Sequence, residues 1–109
     1  MESMSTEYII KVSGTSRAAA VAGAIAGIVR DRGYAEVRAI GAGAVNQALK
    51  GLVLAVQYLQ GDGISVAFVP EFIDVDIEGT IRTAIHLTIR RKDDFHKEVY
   101  AGTSSGDTE

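Results

Sequence analysis

The chain has 109 residues, 47% of them hydrophobic, which is enough for one domain around one core. It has no cysteine, and this excludes a disulfide framework, a thiolate zinc site and a cysteine nucleophile. A net charge of −3 excludes the coating of nucleic acid by a strongly basic overall field.

Residues 1–7 are polar and are read as an N-terminal extension. They have no basic start and no apolar run, so they are not expected to be a secretory signal. Tyr8 to Val12 is a short β-rich run, the first strand. Ser13-Gly14-Thr15-Ser16 is a turn cluster that supplies candidate helix N-caps. The spacing of Val21, Ile25, Ile28 and Val29 predicts a helix over Arg17 to Arg32, with Gly33 as its C-cap. Gly23 and Gly27 stand four apart in that helix, each at a cost of about 1 kcal/mol against alanine. They are expected either to pack tightly on the sheet or second helix, or to form a contact between subunits.

Ala35 to Ile40 alternates and reads as the second strand. Gly41-Ala42-Gly43 joins it to a helix over Ala44 to about Gln60, whose apolar face is Val45, Leu49, Leu52, Val53, Val56 and Leu59. The nearly uncharged stretch Ala39 to Gln60, which contains Lys50, reads as a buried helix and not a membrane span. Ile64 to Val69 is nearly all apolar, as in a central strand covered on both faces. Pro70 then marks a bulge, an edge or an interruption. Ile73, Val75 and Ile77 alternate with acids, and Ile81 to Ile89 alternates apolar with polar, predicting a hairpin. Opposing apolar with apolar residues predicts a three-residue turn, Glu78-Gly79-Thr80. Asp76 would then face Arg82 and Phe72 would face His86. Past Arg91 the pattern ends, and residues 92–109 read as a flexible C-terminal tail.

The order is β-α-β-α-β-β. It predicts an α/β two-layer sandwich over residues 8–91: a four-stranded mixed sheet with both helices on one face.

Little supports catalysis. His86 lies on a polar strand face and His96 in the charged tail, neither in metal-ligand spacing. Asp74, Asp76 and Glu78 share a strand face; they could bind a hard cation, but they are expected to be solvated acids opposite Arg82 and Arg90. No metal and no cofactor are expected. The strongest local feature is Ile40-Gly41-Ala42-Gly43-Ala44-Val45-Asn46-Gln47, where a strand enters a helix with no side-chain cap. Its free N–H groups can be met by water or by an anion such as phosphate.

The runs Val21 to Ala26, Ala39 to Ala48 and Arg82 to Ile85 resemble the stage V sporulation protein S family. That family is similar in fold to Alba, an archaeal chromatin protein with the same element order. The resemblance implies a non-enzymatic bacterial regulator of sporulation, septation or developmental gene expression. It also implies a dimer with no cofactor; the helices lined with Ala and Gly predict a homodimer or larger oligomer, and the absence of a signal and of cysteine makes the cytoplasm the expected location. The resemblance points to three contact regions for DNA or RNA: Ser16 and Arg17, Gly41 to Gln47, and Glu78 to Arg82. Alba carries lysines and arginines at the first two, whereas this chain has only Arg17 there, and Lys50 one turn further on. Weak binding is therefore expected, through Ser16, Arg17, Gly41, Gly43, Asn46, Gln47, Lys50 and Arg82. The other reading is a self-associating protein-interaction module, with Gly23 and Gly27 at its interface and no nucleic-acid role.

Overall fold

The computed structural model describes residues 8–94. The elements follow the order β1 (Ile9–Val12), α1 (Ala18–Arg32), β2 (Tyr34–Ala39), α2 (Ala42–Gly61), β3 (Val66–Ile77) and β4 (Thr80–Arg91). The extension over residues 1–7 lies outside the described residues, as does most of the tail, residues 95–109.

The sheet order is β1-β2-β4-β3. β1 and β2 pair in parallel, with α1 as their crossover. β4 pairs antiparallel with both β2 and β3. Ala35, Val37 and Ala39 of β2 sit opposite Ile89, Leu87 and Ile85 of β4. Those residues share one sheet face and pack into a single core with Val21, Ile25 and Val29 of α1 and Ala48, Leu52 and Leu59 of α2. Both helices therefore cover one face, as expected. Their packing is chiefly against each other and over β1 and β2, and the long β3–β4 hairpin extends past them.

The helices meet at Gly51. A Cβ placed there would lie 2.6 Å from Val21 Cγ1 and 3.2 Å from the Ala18 carbonyl, so only glycine lets the two backbones approach this closely. Gly23 and Gly27 do the opposite of what close packing on the sheet or on α2 requires. Both are exposed, with nothing within 4 Å of an added Cβ. Gly33 ends α1 as expected, with φ of 89° and its N–H donating to the Val29 carbonyl at 2.8 Å. Arg30 Nε then reaches Asp62 Oδ2 at the end of α2 (2.6 Å), an exposed pair worth at most about 1 kcal/mol.

The buried side of α2 consists of Ala44, Ala48, Gly51, Leu52, Ala55 and Leu59. Leu49 and Val53, assigned to the apolar face by periodicity, are exposed instead. Small residues form most of that side, with Leu52 and Leu59 among them, and α1 approaches most closely at Gly51.

Two expectations about the hairpin fail. β3 is the edge strand and not a central one, and Pro70 stands within it opposite Leu87. An edge position tolerates the missing N–H. The turn has two residues, Glu78 and Gly79, with φ of 51° and 86°. Positive φ at both central residues is the signature of a type I′ turn, whose twist matches the strands it joins. The register shifts accordingly: Ile77 faces Thr80, Asp76 faces Ile81, Val75 faces Arg82, Phe72 faces Ile85 and Glu71 faces His86. Asp76 and Arg82 thus point to opposite sheet faces. Asp74 and Asp76 are not opposite Arg82 and Arg90; they face Thr83 and Ile81.

Candidate functional site

In a sheet where β2 is parallel to β1 and antiparallel to β4, the C-terminal ends of β1 and β2 and the β3–β4 turn lie at one end of the molecule. Both helices also begin there, since each follows one of those strand ends. The topology thus gathers the β1–α1 loop, the β2–α2 junction and the hairpin tip.

Contacts hold the first two together. Gln47 Nε2 donates to the Ser16 carbonyl at 2.7 Å. A Cβ on Gly43 would lie 3.6 Å from Gly14 Cα, so the glycine backbones are nearly in contact. The loop itself is closed by serines: Ser13 N–H donates to Ser16 Oγ at 2.9 Å. That bond takes Ser16 away from the capping role expected of the serine-threonine cluster. The N-cap position of α1 is Arg17, with no side-chain cap, and that of α2 is Gly41, also with none and with φ of 93°. Two uncapped helix starts therefore sit side by side, each with free N–H groups and the positive end of its dipole facing outward.

Of the residues singled out from sequence, Ser16, Arg17, Gly41, Gly43, Asn46 and Gln47 are brought to this end. Arg82 joins them from the hairpin, exposed on the sheet face away from the helices. Lys50 does not. It is exposed two turns along α2 and lies outside the cluster. Two further cations, Lys11 and Arg38, stand on the strands that lead to this end. They are register partners on neighbouring strands and share the open sheet face with Arg82.

The hairpin acids are partly engaged. Asp76 Oδ1 accepts the Gly79 N–H at 2.8 Å, which ties that carboxylate into the turn. His86 is buried rather than solvent-facing, with Nε2 3.2 Å from Glu36 Oε1 across the sheet. Its Nδ1 is buried with no partner among the described residues.

These features define a small two-layer domain of β-α-β-α-β-β order with a loop-and-hairpin end, consistent with the Alba-like arrangement. The family model of stage V sporulation protein S matches residues 8–92, and the chain belongs to that sporulation-related family. Among the described residues, no helix is long and apolar enough to cross a membrane.

Proposed function

We propose that this protein is a non-enzymatic regulatory module that contacts DNA or RNA weakly through its loop-and-hairpin end. The observation that carries this reading is the pair of uncapped helix starts joined by the Gln47–Ser16 bond, with Arg17 at one of them and Arg82 on the hairpin at the same end of the sheet. Backbone N–H groups at helix starts suit phosphate oxygens, and the two arginines supply formal charge. The acids of β3 and the net charge of −3 keep the contact weak. The test is titration of labelled single strand and duplex at low salt, with the protein verified as folded. Binding lost in Arg17→Ala supports the reading; no retention of either probe overturns it.

A second reading concerns assembly, and the surface favours it independently. Phe72 is 77% exposed, Ile81 62% and Val53 58%, with Leu49 and Phe68 also exposed. Phe68, Phe72 and Ile81 project from the helix-bearing side of the sheet, where the hairpin has outrun the helices. Large apolar side chains on one side of a small domain are the usual mark of a protein contact. We infer a homodimer built on this surface. It replaces Gly23 and Gly27 as the candidate interface, because the exposed apolar area lies here. Self-association is compatible with the nucleic-acid reading and stands without it.

A further inference from the structure

At the loop-and-hairpin end of the sheet lies an open-sided cavity of about 430 Å³. Lys11 and Arg38 line it together with Ser13, Ile40, Val75 and Ile77. The two cations are direct register partners on β1 and β2. Like charges side by side on adjacent strands repel, so the pair calls for an anion between them. Among the described residues, neither has a carboxylate partner. Glu36, on the same face, is engaged with His86, and Asp76, the one acid of the lining, is turned to the Gly79 N–H while keeping its negative charge. The Arg38 Nε is, in addition, buried with no hydrogen-bond acceptor. A buried donor left unsatisfied is costly, and a ligand oxygen would satisfy it. The opposite wall is apolar: Val75 and Ile77 reach the cavity from the hairpin and Ile40 from the end of β2.

We propose that this cavity binds a small organic phosphate, a monoester carrying a compact apolar or ring group. The phosphate dianion would bridge the Lys11 ammonium and the Arg38 guanidinium, with the Ser13 hydroxyl as a further donor. The organic group would lie against Ile40, Val75 and Ile77. The volume is in the range of small-molecule sites, and its mixture of a few convergent polar groups with an apolar wall is typical of them. The site borders the proposed nucleic-acid contact, since Val75 is the register partner of Arg82, but neither Arg17 nor Arg82 lines it.

The test follows the amide and arginine Nε resonances of the full chain by NMR during titration with phenyl phosphate, benzoate and inorganic phosphate. Phenyl phosphate is expected to give saturable shifts at Ser13, Arg38, Val75 and Ile77 in the millimolar range. Inorganic phosphate, lacking the ring, and benzoate, lacking the second charge, should each bind roughly tenfold more weakly or worse. Lys11→Gln and Arg38→Gln should each weaken phenyl phosphate by at least about tenfold, while Lys92→Gln, at the other end of the sheet, leaves it unchanged. Circular dichroism checks the fold of each variant, and Lys11→Gln carries the test if Arg38→Gln fails to fold. The proposal is overturned if phenyl phosphate gives no saturable shift, or if its binding survives Lys11→Gln. Equal binding of benzoate or inorganic phosphate would also overturn it. Loss of nucleic-acid binding in Arg17→Ala leaves these shifts in place, so the two readings fail separately.

Discussion

Gln47 reaches across from the second turn of α2 to the carbonyl of Ser16, 2.7 Å away, and this bond fastens the two helix starts to each other. It is partly buried and spans 31 positions of sequence. Removing the side chain should leave the Ser16 carbonyl short of a donor. Gln47→Ala is expected to cost about 1 kcal/mol of stability, read by urea denaturation. It should also weaken nucleic-acid binding beyond that of a surface control, since the two loops would no longer be held in register.

The glycines of the two helices should respond in opposite directions. Gly51→Ala drives a methyl group into Val21 and the Ala18 carbonyl, and is expected to destabilise by about 1–3 kcal/mol. Gly23→Ala and Gly27→Ala meet open space in helical backbone and should each stabilise by roughly 0.5–1 kcal/mol. Thermal melts of the three variants check this. A destabilised Gly23→Ala that also loses its oligomeric state would return the interface to α1.

The hairpin turn offers a third check. Glu78 holds a φ of 51°, which a glutamate adopts less readily than asparagine. Glu78→Asn should therefore raise stability by up to about 1 kcal/mol. Asp76→Ala removes the acceptor for the Gly79 N–H and should lower it by roughly 0.5–1.5 kcal/mol. A three-residue turn would make Glu78→Asn neutral, and NMR cross-strand contacts between Ile77 and Ile81 would replace those between Ile77 and Thr80.

Assembly is tested by charge. Phe72→Asp and Ile81→Asp place carboxylates on the exposed apolar side of the hairpin, where neither side chain contributes to the core. Each should convert the dimer to a folded monomer in sedimentation at tens of micromolar, with little change in the melting curve of the monomer. A wild-type chain that sediments as a monomer would remove the dimer reading.

The element order, the two-layer arrangement and the glycine cap at Gly33 were legible because each rests on local chemistry or helical period. The hairpin register was not. Its inference assumed that apolar faces apolar, which holds only where a strand lies over the core. β3 is an edge strand beyond the helices, with Phe72 on one face and Ile73 and Val75 on the other, so neither face dictates register and the turn does. The same blindness affected α2. Periodicity found the apolar side of the helix but not how closely α1 approaches at Gly51, nor that Leu49 and Val53 stay exposed. Among the candidate contact residues, Arg17, the Gly41–Gln47 junction and Arg82 fall at one end by topology, while Lys50 was included on sequence distance alone. The Lys11–Arg38 pair depends on strand pairing, which no local pattern reports.

The central claim is that phosphates meet this protein at the end formed by the two helix starts and the hairpin, and the salt dependence of binding tests it most directly. Each duplex phosphate neutralised adds about 0.9 to the slope of log K against log salt. With Arg17 and Arg82 from each of two protomers, four phosphates are neutralised at most, so the expected slope has a magnitude of up to about 4. Arg17→Ala and Arg82→Ala should each flatten it without changing sequence preference, because phosphate contacts position and do not specify. Lys50→Ala should leave it nearly unchanged. A slope that survives both arginine substitutions, or that collapses with Lys50→Ala alone, would contradict the placement of the site.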